Sequence, residues 1–198
     1  MWQQGYVQLF RFRSIPVRMH WSVAIGMLWV SGPRIVPGAW LGLLLVILLH
    51  EAGHAFLARR YGLRVHSIEM DALGGLCVFE TPSVPHHSHV IAWGGVLAQM
   101  LLLIATYALS SLGYWPQDAF FASMQHVFTT TNLLIIILNL LPFPPLDGSQ
   151  AWKVFKRRPR LVRHEPPPKK GPREITQEDL EQVDRTLEQV FRDAKKKD

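Results

Sequence analysis

Residues 41–58 read LGLLLVILLHEAGHAFLA, an apolar run broken only by His50, Glu51 and His54. Helical spacing puts His50 and His54 one turn apart on one face, near enough to share one metal ion, with Glu51 beside them.

An H-E-x-x-H pattern on a helix is the arrangement used by zinc metalloproteases, two imidazoles holding the metal and the glutamate serving as base. Five residues alone are a modest signal; the setting strengthens it. An ionisable side chain at membrane depth costs about 2.5–3.5 kcal/mol on insertion scales and is usually retained for function. A buried polar cluster satisfied by neighbouring helices is the bland alternative, and three ionisable groups within five residues are hard to explain that way.

The 198 residues are 48% hydrophobic and 18% charged, an average that hides an uneven spread. Up to about residue 150 the chain is apolar with short basic interruptions, whereas the remainder is mostly charged or proline. This predicts three regions: a membrane-embedded core over 1–150, a basic proline-rich linker over 151–173 and a cytoplasmic amphipathic helix over 174–198. The formal net charge of +6 is carried by residues clustered where apolar segments end, which is a topology signal and argues against a nucleic-acid partner. Cys77 is the only cysteine, so no intrachain disulfide is available. The N-terminus lacks a basic-then-apolar stretch with a small-residue cleavage site, so no removable signal peptide is expected.

In chain order, alternation over 7–12 allows a short strand at the membrane surface. The first apolar segment, 20–30, reaches only about half of a 30 Å hydrocarbon core, so it either recruits 15–19 or is a partial helix shielded by neighbours. A second segment over 35–58 is long enough to span, at roughly 36 Å, and Arg59, Arg60 and Arg64 close it. Short alternating stretches over 65–89, with Gly74-Gly75 between them, predict a small hairpin or sheet. His86, His87 and His89 follow Pro82 and Pro85 without an acidic partner, which reads as an exposed loop rather than a second metal site. A third span covers about 90–112, and a fourth runs from about 127 to 141, where Pro142, Pro144 and Pro145 forbid helix. Four segments with both termini cytoplasmic put every basic cluster except Arg34 on one side, the pattern of a multi-pass protein of the bacterial cytoplasmic membrane.

Asp147 follows those prolines. Counted along the fourth segment it lies in the inner third of the bilayer; counted back from Ala58, His50 lies about 12 Å deep, at a similar level. Non-helical backbone at that depth requires a protein-lined or watery cavity. Asp147 facing it would complete a two-His, one-carboxylate zinc site with an open fourth position. Capping of a following helix is the alternative role for Asp147.

At this point the chain resembles the site-2 protease family of intramembrane zinc metalloproteases. The matching residues are HEAGHAFLARRYGL from His50, LGG from Leu73 and the N-x-x-P-x-x-x-L-D-G pattern from Asn139 through Pro142 to Gly148. The resemblance implies that His50, His54 and Asp147 bind Zn2+, that Glu51 is the catalytic acid/base, and that Asn139 helps position the substrate or polarise its carbonyl. It also implies a membrane-associated sheet around Gly74 and Gly75 that pairs with an extended, membrane-anchored protein substrate. One departure is visible: many relatives carry Gly-Pro followed by Asn early in the third span, where this chain has WGGVLAQ from Trp93, leaving Gln99 as the nearest amide.

The expected fold is therefore mainly α and polytopic, with about four transmembrane segments, a small sheet and a C-terminal amphipathic helix. Thr176 with Asp179 can start that last helix and Ile175 can staple to Leu180; Leu180, Val183, Leu187, Val190 and Phe191 make its apolar stripe. The stripe would dock on the core, on a second copy of the chain or on a regulatory partner. Two other function classes remain for the whole chain. A non-catalytic scaffold with the same fold would be expected to lose Glu51 or a ligand. A metal carrier would spread ligands over several spans and need no Glu between its histidines.

Overall fold

The computed structural model describes residues 5–32 and 34–155, and in the tail residues 177, 180, 182, 183, 185–187 and 192. Two compact units divide at residues 157 and 158.

Unit one opens with a hairpin. Strands β1 (Tyr6–Phe12) and β2 (Ile15–His20) pair antiparallel across a two-residue turn, Arg13-Ser14, where both residues take positive φ (47° and 73°) as this turn demands. A nine-residue helix follows, α1 (Val23–Ser31), and then the 24-residue α2 (Pro37–Arg60). β3 (Val65–Asp71) and β4 (Gly74–Phe79) form a second hairpin. β3 joins β2 in parallel, with Val17 opposite Ile68, so the sheet runs β1-β2-β3-β4 with β4 at one edge.

The short first segment is thus resolved as a partial helix. Residues 15–20 do not lengthen it, because Ile15 and Val17 are buried in the sheet-side core with Ile68, Met70 and Cys77, where β-branched side chains suit a pleated surface. Expectation and structure differ here: among the described residues three helical stretches, not four, are long and apolar enough to span a bilayer, namely Pro37–Arg60, Pro85–Ser111 and Ala119–Asn139. Less than half of each is buried within the protein, and Leu101, Ile104 and Ile137 are exposed along them. Apolar surface of that extent needs lipid rather than water, which makes this an integral membrane protein.

The histidine-bearing stretch is another correction. Residues 85–91 are a helix, α3 (Pro85–Ile91), with Pro85 in its first turn where its missing N–H costs nothing. Ile91 is buried, and His87 stacks on Tyr61 at 4.3 Å. After Ala92 the chain continues as α4 (Trp93–Ser111). The last span begins earlier than its apolar pattern suggested, because Asp118 caps α5 (Ala119–His126), its carboxylate accepting from the Phe120 and Phe121 N–H groups at 3.0 and 3.1 Å. A widened π turn, Val127–Thr131, joins α5 to α6 (Asn132–Asn139). Beyond the prolines come the single turn α7 (Gly148–Ala151) and a 3₁₀ turn, Trp152–Phe155.

Helix α2 is the centre of this unit. Glycines bring its neighbours close: Gly38 and Gly42 face α5 and the π turn, and Gly53 meets Gly94 of α4 backbone to backbone. Helices in lipid associate through such small-residue contacts, since burying apolar surface there gives no hydrophobic gain.

In the second unit, described residues 180, 182, 183 and 185–187 are helical, and Leu180, Val183 and Leu187 are exposed. Ile175, Thr176, Asp179, Val190 and Phe191, like the linker residues 156–173, lie outside the described residues.

Candidate metal centre

On α2, His50, Glu51 and His54 are all buried. The imidazoles lie edge to face, centroids 4.7 Å apart, and their Nε2 atoms are 3.0 Å from each other.

Asp147 arrives from 97 and 93 residues away in sequence, its Oδ2 2.9 Å from His50 Nε2 and 3.2 Å from His54 Nε2. Pro142, Pro144 and Pro145 stop α6 and turn the chain back, and Gly148 lets the turn close, since any Cβ there would strike the Leu140 and Leu141 backbone. Asp147 occupies the position before α7, yet its carboxylate makes no capping bond and turns to the imidazoles instead.

The donor set fits zinc. Ligand atoms about 2.0–2.2 Å from a tetrahedral zinc lie about 3.3–3.6 Å from one another, a few tenths of an ångström wider than the 2.9, 3.0 and 3.2 Å found here. His54 Nδ1 lies 2.8 Å from the carbonyl oxygen of Ile91, which can only accept, so the ring proton sits on Nδ1 and the Nε2 lone pair faces the centre. Among the described residues, His50, His54 and Asp147 are the one such group of three or more potential ligands.

The other expected site residues are distributed around this centre. Gly75, on the edge strand β4, sits against Glu51: a Cβ there would lie 2.5 Å from the Glu51 carboxylate. Gly74 opens β4 opposite Asp71 with φ of +142°, a conformation that L side chains rarely adopt. Asn139 is half-buried at the end of α6, and its side chain makes no hydrogen bond among the described residues. The amide that does bond is Asn132, fully buried two turns earlier on α6, reaching the backbone oxygens of Gln99 and Phe128 at 3.0 and 3.2 Å. Gln99, left without a role by the sequence, has its Oε1 2.9 Å from His50 Nδ1. Gly95 cradles the His50 ring, where a Cβ would come within 2.5 Å of Nε2. The Gly94-Gly95 pair, small residues inside a span, was the signal for this close approach.

No family model matches the chain. Rip3 of Mycobacterium tuberculosis, which carries the name of a zinc metalloprotease, is 30% identical over 170 residues, covering 75% of this chain and 43% of Rip3. Stage IV sporulation protein FB of Bacillus subtilis is 34% identical over 116 residues, 57% of this chain and 38% of that protein. Zinc metalloprotease MJ0392 of Methanocaldococcus jannaschii is 22% identical, covering 75% and 45%. The chain therefore spans less than half the length of these curated relatives. Among solved structures, the site-2 protease from Methanocaldococcus jannaschii superposes with a TM-score of 0.58 over 75% of this chain and 70% of that one, at 20% identity, and so shares the fold. A backbone shared with a solved site-2 protease, together with sequence shared with proteins named zinc metalloproteases, leads to one conclusion: the chain has the site-2 protease fold and is similar in sequence to zinc metalloproteases.

Proposed function

We propose that the chain is an intramembrane zinc endopeptidase that cleaves membrane-anchored proteins in or near their transmembrane segments. The observation that carries this is the convergence of His50, His54 and Asp147 beside Glu51, under the open edge of β4.

His50, His54 and Asp147 would hold the zinc, which supplies a Lewis acid able to acidify water and polarise a peptide carbonyl. Glu51 takes a proton from the attacking water and delivers it to the amine nitrogen as the C–N bond breaks, so the carboxylate ends as it began. Its place on the helix that carries both histidines fixes its distance to the reacting atoms.

A transmembrane helix keeps its carbonyls in hydrogen bonds, so a substrate must unwind locally before it is cut. Among the described residues β4 pairs with β3 on one side only, and its other edge offers backbone groups to a strand laid alongside. Gly74 and Gly75 keep that edge free of side chains where it passes Glu51, and Asn139, by family resemblance, helps to position the strand or polarise its carbonyl.

Orientation follows the basic residues. The Arg59 guanidinium, at the end of α2, donates to the Arg13 carbonyl in the β1–β2 turn at 3.5 Å, which puts the N-terminal hairpin level with that end of α2 whatever the length of α1. Positive-inside bias then favours both termini on the cytoplasmic side of a bacterial membrane.

The test is Glu51→Gln in the full chain, purified in detergent and assayed on a model transmembrane substrate. Zinc content near one per chain with no cleavage is the expected result; an active variant refutes the role of Glu51.

A further inference from the structure

We infer that Gln99 is a positioning residue of the metal site, its amide oxygen holding His50 in the tautomer that presents a bare Nε2 to the ion. This rests on the zinc reading above and extends it to a residue outside the H-E-x-x-H and Asp147 motifs.

Gln99 has no exposed surface, and an unbonded polar side chain in such a place is costly. A leucine would fill the position on α4 more cheaply. The side chain instead directs Oε1 at His50 Nδ1, 2.9 Å away, while its Nε2 is buried with no partner. Only the oxygen, then, has a task. Were the amide reversed, its NH2 would donate to Nδ1 and move the ring proton to Nε2, where it would point at His54 Nε2 and Asp147 Oδ2 and block the metal position.

The neighbouring ligand follows the same logic by another route, since the Ile91 carbonyl sets His54 through its Nδ1. Gln99 is itself held. Its backbone oxygen accepts from Asn132 Nδ2 at 3.0 Å, tying α4 to the first turn of α6. The Gly53–Gly94 crossing brings α4 close enough to α2 for the side chain to reach.

The experiment compares zinc affinity, by competition with a chelator, in the parent chain, His54→Ala, Gln99→Met and Gln99→Glu. Losing an outer partner of a ligating histidine typically weakens metal binding about 10- to 100-fold, and that is expected for Gln99→Met, which keeps the bulk and loses the acceptor. Gln99→Glu keeps the acceptor and gives up only the nitrogen that has no partner, so it should bind zinc at least as tightly as the parent; a merely structural amide would not be rescued by a buried carboxylate. Unchanged affinity in Gln99→Met overturns the inference, and so does a loss in Gln99→Glu. Should Gln99→Met fail to fold, the Gln99→Glu result decides alone. A parent chain that binds no zinc sinks the zinc reading itself, whereas a zinc-binding parent with an unmoved Gln99→Met sinks only the role of Gln99.

Discussion

Gly94→Ala is the sharpest probe of how the site is held together. A Cβ at Gly94 would lie 2.5 Å from the Gly53 carbonyl oxygen, 2.7 Å from its carbon and 3.0 Å from the His54 nitrogen. All three are backbone atoms of α2, so no side chain can swing aside. Ordinary contact begins at 3.4 Å, so α4 and α2 must part by about 0.9 Å, in an interior packed as densely as a crystal. Overpacking of this kind costs about 1–3 kcal/mol, against roughly 1 kcal/mol returned because alanine is the better helix former. The steric term wins. At about 2–4 °C per kcal/mol for a chain of this size, the melting temperature in detergent should fall by a few degrees. The same separation would stretch the 2.9 Å contact between His50 Nδ1 and Gln99 Oε1 to about 3.8 Å, beyond hydrogen-bond range, so zinc affinity should fall as well. Leu101→Ala, on the exposed face of α4, is the control and should change neither. A Gly94→Ala protein that melts within a degree of the parent and holds zinc equally well would show that the glycine crossing does not set the geometry of the site.

Gly75→Ala should push the Glu51 carboxylate aside by a similar distance, lowering cleavage about 10- to 100-fold with zinc content intact, since misplacing a reacting group by 1 Å is enough for that; concurrent zinc loss would contradict it. His54→Ala should abolish stoichiometric zinc, read by metal analysis of the purified protein, and a variant that still carries one zinc per chain would rule out His54 as a ligand. Burial, reinforced by the Glu51 carboxylate, pushes the Cys77 thiol up to about 12 from 9.0. The folded thiol thus stays neutral where the unfolded one ionises, so its contribution to stability falls as pH rises through that window, and at pH 8 maleimide should label Cys77 only after denaturation. Labelling of the native protein at the rate of a free cysteine would refute that burial.

The two histidines and the glutamate were legible because i and i+4 on any helix share a face, whatever surrounds them. Apolar length marked α2 and α4 for the same local reason, and the proline run showed where α6 had to stop. Residues 15–19 were open between lengthening the first helix and standing apart from it, and residues 85–91 read as a loop because His and Pro are weak helix formers. The first became a strand because β1 and β3 flank it, and the second a helix although its histidines and prolines read as a turn. The early start of α5 was written in Asp118 as a cap, a signal masked by the polar loop around it.

What the amino-acid order determined by itself was the chemistry available: two imidazoles and a carboxylate within one helical turn, in a span where charge is costly, and an aspartate behind a helix-breaking turn. Only the tertiary structure decided that Asp147 points at the imidazoles rather than capping α7, that the Gln99 amide meets His50, and that Gly75 opens the sheet edge to Glu51. The physical reason is range. Periodicity and propensity act over a few residues, whereas these contacts join positions 24 to 97 residues apart and exist only because glycine-lined helices approach closely enough to close them.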